Sequence, residues 1–240
     1  MFKRTHHQAI EQVLRLINAD LLKTHQCYFG GGTAIALRNG EYRESVDIDL
    51  MVSDLACYRA LRTLVRESGS VSALFKANTT LISQLREVRA DQYGIRTAIG
   101  LGQHNIKFEI VLEGRIEFET PTATDEVCGV TTLSVVDLLA SKLLANSDRW
   151  ADEGVFNRDL IDLAMMKPSS DVFAKALAKA ESAYGSSIQQ DLEKSIDKLL
   201  TKPEWLEKCM RAMGMSDTAP AFLVTAILSL RGVLRKLNGT

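Results

Sequence analysis

Two aspartates one residue apart, Asp47 and Asp49, lie in the run Val46-Asp47-Ile48-Asp49-Leu50, where apolar and acidic residues alternate. On a strand, alternate side chains share a face, so both carboxylates project together while Val46, Ile48 and Leu50 pack inward. Upstream, Gly30-Gly31-Gly32-Thr33 runs into the short apolar stretch Ala34 to Leu37. That order predicts a strand end, a tight turn and a helix start. Glycine lets backbone N–H groups approach an anion, and the first helical turn adds its positive dipole end. Two carboxylates opposite a phosphate-sized turn predict a site for Mg²⁺ and a nucleotide. Asp47 and Asp49 are then metal ligands, and Gly31, Gly32 and Thr33 hold phosphates. Arg43 and Ser45 share the parity of the aspartates; either Arg43 meets a triphosphate and Ser45 orders the site, or both are plain loop residues.

The run Ile106 to Leu112, IKFEIVL, repeats this alternation. Glu109 falls on its polar face and is the candidate third carboxylate of a two-metal site, with Glu113 in reserve at the following turn.

The glycine turn, a helical stretch and an Asp-x-Asp strand, in that order, resemble the nucleotidyltransferase superfamily signature. More closely, GGTAIAL with R-x-S-x-D-I-D-L is similar to the nucleotidyltransferase-type toxins of abortive-infection systems, the AbiEii/AbiGii-like family. The pattern Lys142 … Arg149 … Arg158-Asp159-x-x-Asp162-Leu163 also resembles that family, which carries a lysine helix followed by an R-D-x-x-D-L helix. The resemblance covers about residues 25 to 165. It implies that these helices close over the active site, with Lys142 on phosphate and Asp159 as the acid of the helical part. Asp162 could instead hold that role or orient Arg158.

The resemblance further implies an Mg²⁺-dependent enzyme that moves a nucleoside monophosphate from an NTP to an acceptor hydroxyl. The expected acceptor is RNA, at the 3′ end of tRNA, and the expected partner is a cognate antitoxin. Two other expectations compete: a small-molecule or protein hydroxyl as acceptor, and an inactive nucleotide-binding module.

The elements that must position these residues follow from periodicity. Apolar residues at helical spacing predict a helix over His6 to Lys23, with His6 and His7 as surface histidines. Cys27 to Phe29 is the first strand. A helix runs from a Ser53 cap to about Glu67, and another covers Thr80 to Ala90. Strands are expected over Tyr93 to Gly100, Asn105 to Leu112 and Arg115 to Thr120.

The polar stretch Pro121 to Thr132 marks a boundary, giving a nucleotidyltransferase α/β domain over residues 1–124 and a helical domain over 125–240. Helices are expected from Ser134 to about Ser147 and over Val155 to Met166, Val172 to Tyr184, Ile188 to Leu200, Pro203 to Met213 and Pro220 to Leu237. The expected class is α+β: a small mixed sheet flanked by helices, then a C-terminal helical domain.

Composition narrows the field. The chain has 240 residues, 46% apolar and 25% charged, with a formal net charge of −1. That balance excludes a globally basic nucleic-acid binder, so any RNA contact needs a local patch. Cys27, Cys57, Cys128 and Cys209 form no C-x-x-C pair, which argues against structural zinc and for a reducing compartment. MFKRTHHQAIEQVL lacks the apolar core of a signal peptide, and Ala219 to Leu230 is too short and interrupted to cross a bilayer. A soluble, cytoplasmic protein without membrane partners is expected.

Overall fold

The computed structural model describes residues 2–239. It divides into two compact units, Met1–Glu41 with Ser45–Ser134, and Tyr42–Glu44 with Val135–Thr240. The expected break at 124/125 therefore differs from the division seen. The hairpin just beyond residue 125 groups with the first unit, and Tyr42–Glu44 groups with the helices.

In the first unit the chain forms α1 (Thr5–Leu16), α2 (Ala19–Thr24), β1 (Tyr28–Gly30), α3 (Gly31–Arg38), β2 (Ile48–Val52) and α4 (Leu55–Ser68). Then come β3 (Ser83–Gln84), β4 (Arg89–Ala90), β5 (Gly94–Leu101), β6 (His104–Leu112), β7 (Glu126–Val127) and β8 (Val130–Thr131). The main sheet has the order β1-β2-β6-β5-β3, with β4 also paired to β5; β7 and β8 form a separate hairpin. β2 and β6 pair in parallel while β1–β2, β3–β5, β4–β5 and β5–β6 are antiparallel, so the sheet is mixed. Its buried face carries Ile48, Leu50 and Val52 of β2, Ile106, Phe108 and Ile110 of β6, and Ile95 and Ile99 of β5. This alternation of apolar and polar positions leaves the other face for chemistry.

Several expected elements come out differently. The first helix breaks at Ile17, which bridges to Phe75, and Asn18 then caps α2 by accepting from the Leu21 N–H. Thr80 to Ala90 is not a helix. Its Leu85 N–H donates to Ala98 O and its Arg86 carbonyl accepts from Thr97 Oγ1, so β5 satisfies backbone groups that a helix would have paired internally. Arg115 to Thr120 is irregular, and its Phe118 N–H donates to the Ser53 hydroxyl instead of to a strand. The N-cap of α4 is Asp54, not Ser53. Val46 lies ahead of β2 and is exposed.

The second unit contains α5 (Val135–Arg149), α6 (Arg158–Met165), α7 (Ser170–Tyr184), α8 (Ser187–Thr201), α9 (Pro203–Ala212) and α10 (Pro220–Asn238). The last four lie where apolar spacing and first-turn prolines put them. By contrast, α6 starts after Val155, because Phe156 and Asn157 take φ of 54° and 46°. The buried Asn157 side chain holds that kink, donating to Trp150 O and accepting from Trp205 Nε1. Among the described residues no helix is long and apolar enough to cross a membrane. The architecture is α+β.

Candidate active site

The glycine turn and the acidic strand are neighbours. β1 runs antiparallel to β2 with Gly30 opposite Asp49, and α3 begins at the next residue. Gly31 has φ +66°, a left-handed value that disfavours any side chain. A Cβ on Gly31 would stand 2.2 Å from Asp49 Oδ2, far inside contact distance. The Asp49 carboxylate thus lies directly on the turn that opens α3. The N–H groups of that first turn lack helical partners, so an anion and a metal-binding acid can share the same few ångströms.

A second strand extends the acidic row. β2 and β6 run parallel with Asp49 opposite Glu109, and Asp47 precedes β2 by one residue, half-buried. Glu109 is not presented as a free ligand. Its Oε2 lies 2.8 Å from Lys107 Nζ and its Oε1 lies 3.5 Å from Arg96 Nε. Among the described residues no three His, Cys, Asp or Glu side chains are gathered as a metal-holding group. The expected trio Asp47, Asp49 and Glu109 is therefore not preassembled, because salt bridges already satisfy Glu109. A Mg²⁺ site needs only one or two carboxylates plus substrate phosphates and water, and Asp47 with Asp49 beside the turn fits that demand. The reserve acid Glu113 is buried and taken up by Arg115, which donates through its amide, Nε and Nη2.

Thr33 is buried on the first turn of α3, and its hydroxyl lies 2.7 Å from Ser45 Oγ. Ser45 in turn donates its N–H to His7 Nε2 at 3.1 Å. A backbone N–H can only donate, so Nε2 is the acceptor and the proton sits on Nδ1, which donates to Glu41 Oε1 at 2.8 Å. Burial pushes the Glu41 carboxyl up, but the Lys3 amide, the His7 ring and the Arg4 amide outweigh it, leaving Glu41 below its ordinary range. His7 is therefore no surface histidine; it is fully buried, anchoring the segment that leads to Asp47. The signal was available in the spacing, since His7 lies three and seven residues before Ile10 and Leu14 on the buried stripe of α1.

A sequence profile described as the nucleotidyl transferase AbiEii toxin of a type IV toxin–antitoxin system matches residues 12–223. The chain belongs to this family. It is a nucleotidyltransferase of the AbiEii toxin type. Solved structures share the fold. An H. pylori chain assigned as a nucleotidyltransferase aligns with a TM-score of 0.53 at 15% identity, over 98% of this chain and 95% of that one. JHP933 from Helicobacter pylori aligns with a TM-score of 0.55 at 13% identity, over 100% and 96%. A search of curated proteins gave no match.

The remaining expected site residues of this AbiEii chain lie in the second unit, where they bind one another. Lys142 Nζ on α5 is 2.9 Å from Asp159 Oδ1 and 2.7 Å from Asp162 Oδ2, both on α6. Arg149 grips Asp159 through Nε and Nη2. Arg43 forms a bidentate pair with Asp162 at 2.7 and 3.0 Å, and the Tyr42 hydroxyl donates to the same carboxylate. Burial pushes both carboxyls up, but Arg43 and Lys142 at Asp162, and Lys142 and Arg149 at Asp159, override it and hold both below the usual range. Strand parity and the family resemblance put Arg43 and Lys142 on a triphosphate. Instead both are buried and their charges are spent on Asp159 and Asp162. Arg158, expected to pair with Asp162, is exposed and does not.

The turn itself yields a direct prediction. Gly31→Ala must either displace Asp49 or abandon its φ, at a cost of about 1–3 kcal/mol. A lower urea midpoint and a loss of nucleotidyl transfer are expected together. Wild-type stability and activity in that variant would show that the close approach is not required.

Proposed function

We propose that this AbiEii chain transfers a nucleoside monophosphate from an NTP to a hydroxyl of an RNA acceptor, at the 3′ end of tRNA, in a Mg²⁺-dependent reaction. The observation that carries the reading is the Asp49 carboxylate resting against Gly31 at the start of α3. An acid that close to a helix start suits a substrate bearing both a metal and a polyphosphate.

In the reaction the acceptor hydroxyl gives its proton to solvent and its oxygen forms a bond to the α-phosphorus. The bond from that phosphorus to the bridging oxygen breaks, and pyrophosphate leaves with the electron pair. Gly31, Gly32 and Thr33 hold the departing phosphates through backbone N–H groups. Thr33, Ser45, His7 and Glu41 keep that turn in register. Asp47 and Asp49 hold Mg²⁺, which when bound supplies neutralisation of charge on the reacting phosphoryl oxygens. Glu109 joins them as the third carboxylate when its pairing with Lys107 and Arg96 is exchanged. Arg43, Lys142, Asp159 and Asp162 act here as the internal frame of the second unit. A cognate antitoxin follows from the family, and NTP and tRNA as substrates fit a cytoplasmic setting.

The test is to incubate the protein with Mg²⁺, each α-labelled triphosphate in turn, and total tRNA. Label should appear in RNA and vanish with EDTA. Label on a small molecule or on protein would replace the acceptor. Triphosphate binding without any transfer would make the chain a binding module.

A further inference from the structure

The strand register continues the acidic row beyond Glu109. Gly30 stands opposite Asp49, Asp49 opposite Glu109, Glu109 opposite Arg96, and Arg96 opposite Arg89. Directly opposed residues share a face, so one line across five strands runs from the glycine turn through two acids to two arginines. It lies on the face away from Ile106, Phe108 and Ile110. Three strand spacings put Arg89 about 14 Å from Asp49.

Two guanidinium groups placed directly opposite repel each other. Arg96 is countered by Asp91 at 3.3 Å and Glu109 at 3.5 Å, whereas Arg89 is exposed and has no ion pair among the described residues. Asp91 gathers more of the same chemistry. Its Oδ1 accepts from the Tyr93 amide at 2.7 Å, and its carbonyl accepts from Arg62 Nη1 at 3.2 Å. Tyr93, whose amide Asp91 holds, is 65% exposed, so its ring is open to solvent close in sequence to these cations. Guanidinium forks match phosphate oxygens, and an exposed ring offers a stacking face to any base. The turn at Gly31 is the anion site for a triphosphate, and it lies at the opposite end of the row. A small acceptor would not reach Arg89.

We propose that Arg89, Arg96, Arg62 and Tyr93 form the track that holds the phosphodiester chain of the acceptor RNA and leads its terminal hydroxyl toward Asp49. This rests on the transfer to RNA proposed above.

The test uses the full chain, with Arg89→Glu and Tyr93→Ala as variants. Binding is measured with total tRNA and a labelled single-stranded RNA oligonucleotide over a salt series, and fluorescent NTP with Mg²⁺ is titrated in parallel. Arg89→Glu should weaken RNA binding about tenfold and flatten the dependence of log K on log salt by about 1, with NTP affinity unchanged. Tyr93→Ala should weaken RNA binding with the salt slope unchanged. RNA affinity that ignores both variants would overturn the track, as would an equal loss of NTP affinity, which would assign the row to the triphosphate. Binding that depends on Arg89 in a protein that transfers nothing would keep the track and remove the transfer reading. Transfer to RNA unaffected by either variant would remove the track alone.

Discussion

Asp49→Asn is expected to lower Mg²⁺-dependent nucleotidyl transfer about 10³-fold, about 4 kcal/mol of barrier. The amide keeps the shape that lies against Gly31, so the turn and the pairing of β2 with β1 and β6 should survive. What goes is the negative charge that would hold a divalent cation beside the polyphosphate. Transfer of label from an α-labelled triphosphate, read next to a urea titration, separates these effects: the rate should collapse while the unfolding midpoint stays near wild type. A variant that folds and keeps a tenth of the wild-type rate would remove Asp49 from the reaction. That result would also take the meaning from its contact with Gly31, because a structural acid should be replaceable by its amide.

The largest effect on stability belongs to the second unit. Asp162→Ala removes a fully buried carboxylate that answers Arg43, Lys142 and the Tyr42 hydroxyl. It leaves buried cations short of their counter-charge, which typically costs about 3–5 kcal/mol. The sign with pH follows from the lowered carboxyls. Asp159 and Asp162 titrate lower in the folded chain than when unfolded, so the unfolded state takes up protons first as pH falls. Their stabilisation is complete above the ordinary aspartate value of about 3.9 and is lost as pH drops through the folded values. Wild type should therefore lose stability steeply on acidification below about pH 4, and Asp162→Ala should start lower and show a shallower acid limb. Denaturant titrations at pH 7 and through the acid range measure both. A loss under 1 kcal/mol at pH 7 would mean that Arg43 and Lys142 reach water readily. Their assignment to phosphate would then regain its footing.

Much of the first unit was legible in the order of residues because it is local. Gly31 must be glycine for the backbone to turn there, and the alternation around Asp49 and around Glu109 places acids on one face whatever else the chain does. The four C-terminal helices were equally plain, since apolar spacing and prolines at first-turn positions act over a few residues. Thr80 to Ala90 carries an ambiguous pattern, because Leu81, Ile82, Leu85 and Val88 also fit a helical stripe. The choice fell to β5, a distant partner whose edge offered hydrogen bonds.

The sequence by itself determined the chemistry on offer: a glycine turn at a helix start, two aspartates one residue apart and a third acid on another strand. Only the tertiary structure decided how these groups are spent. It set Asp49 against Gly31, gave Glu109 to Lys107 and Arg96, buried His7 between Ser45 and Glu41, and neutralised Lys142 and Arg43 on the α6 aspartates. The reason is physical. A side chain's type and its face follow from neighbours along the chain, but its charge partner and its burial depend on groups that folding brings in from far away.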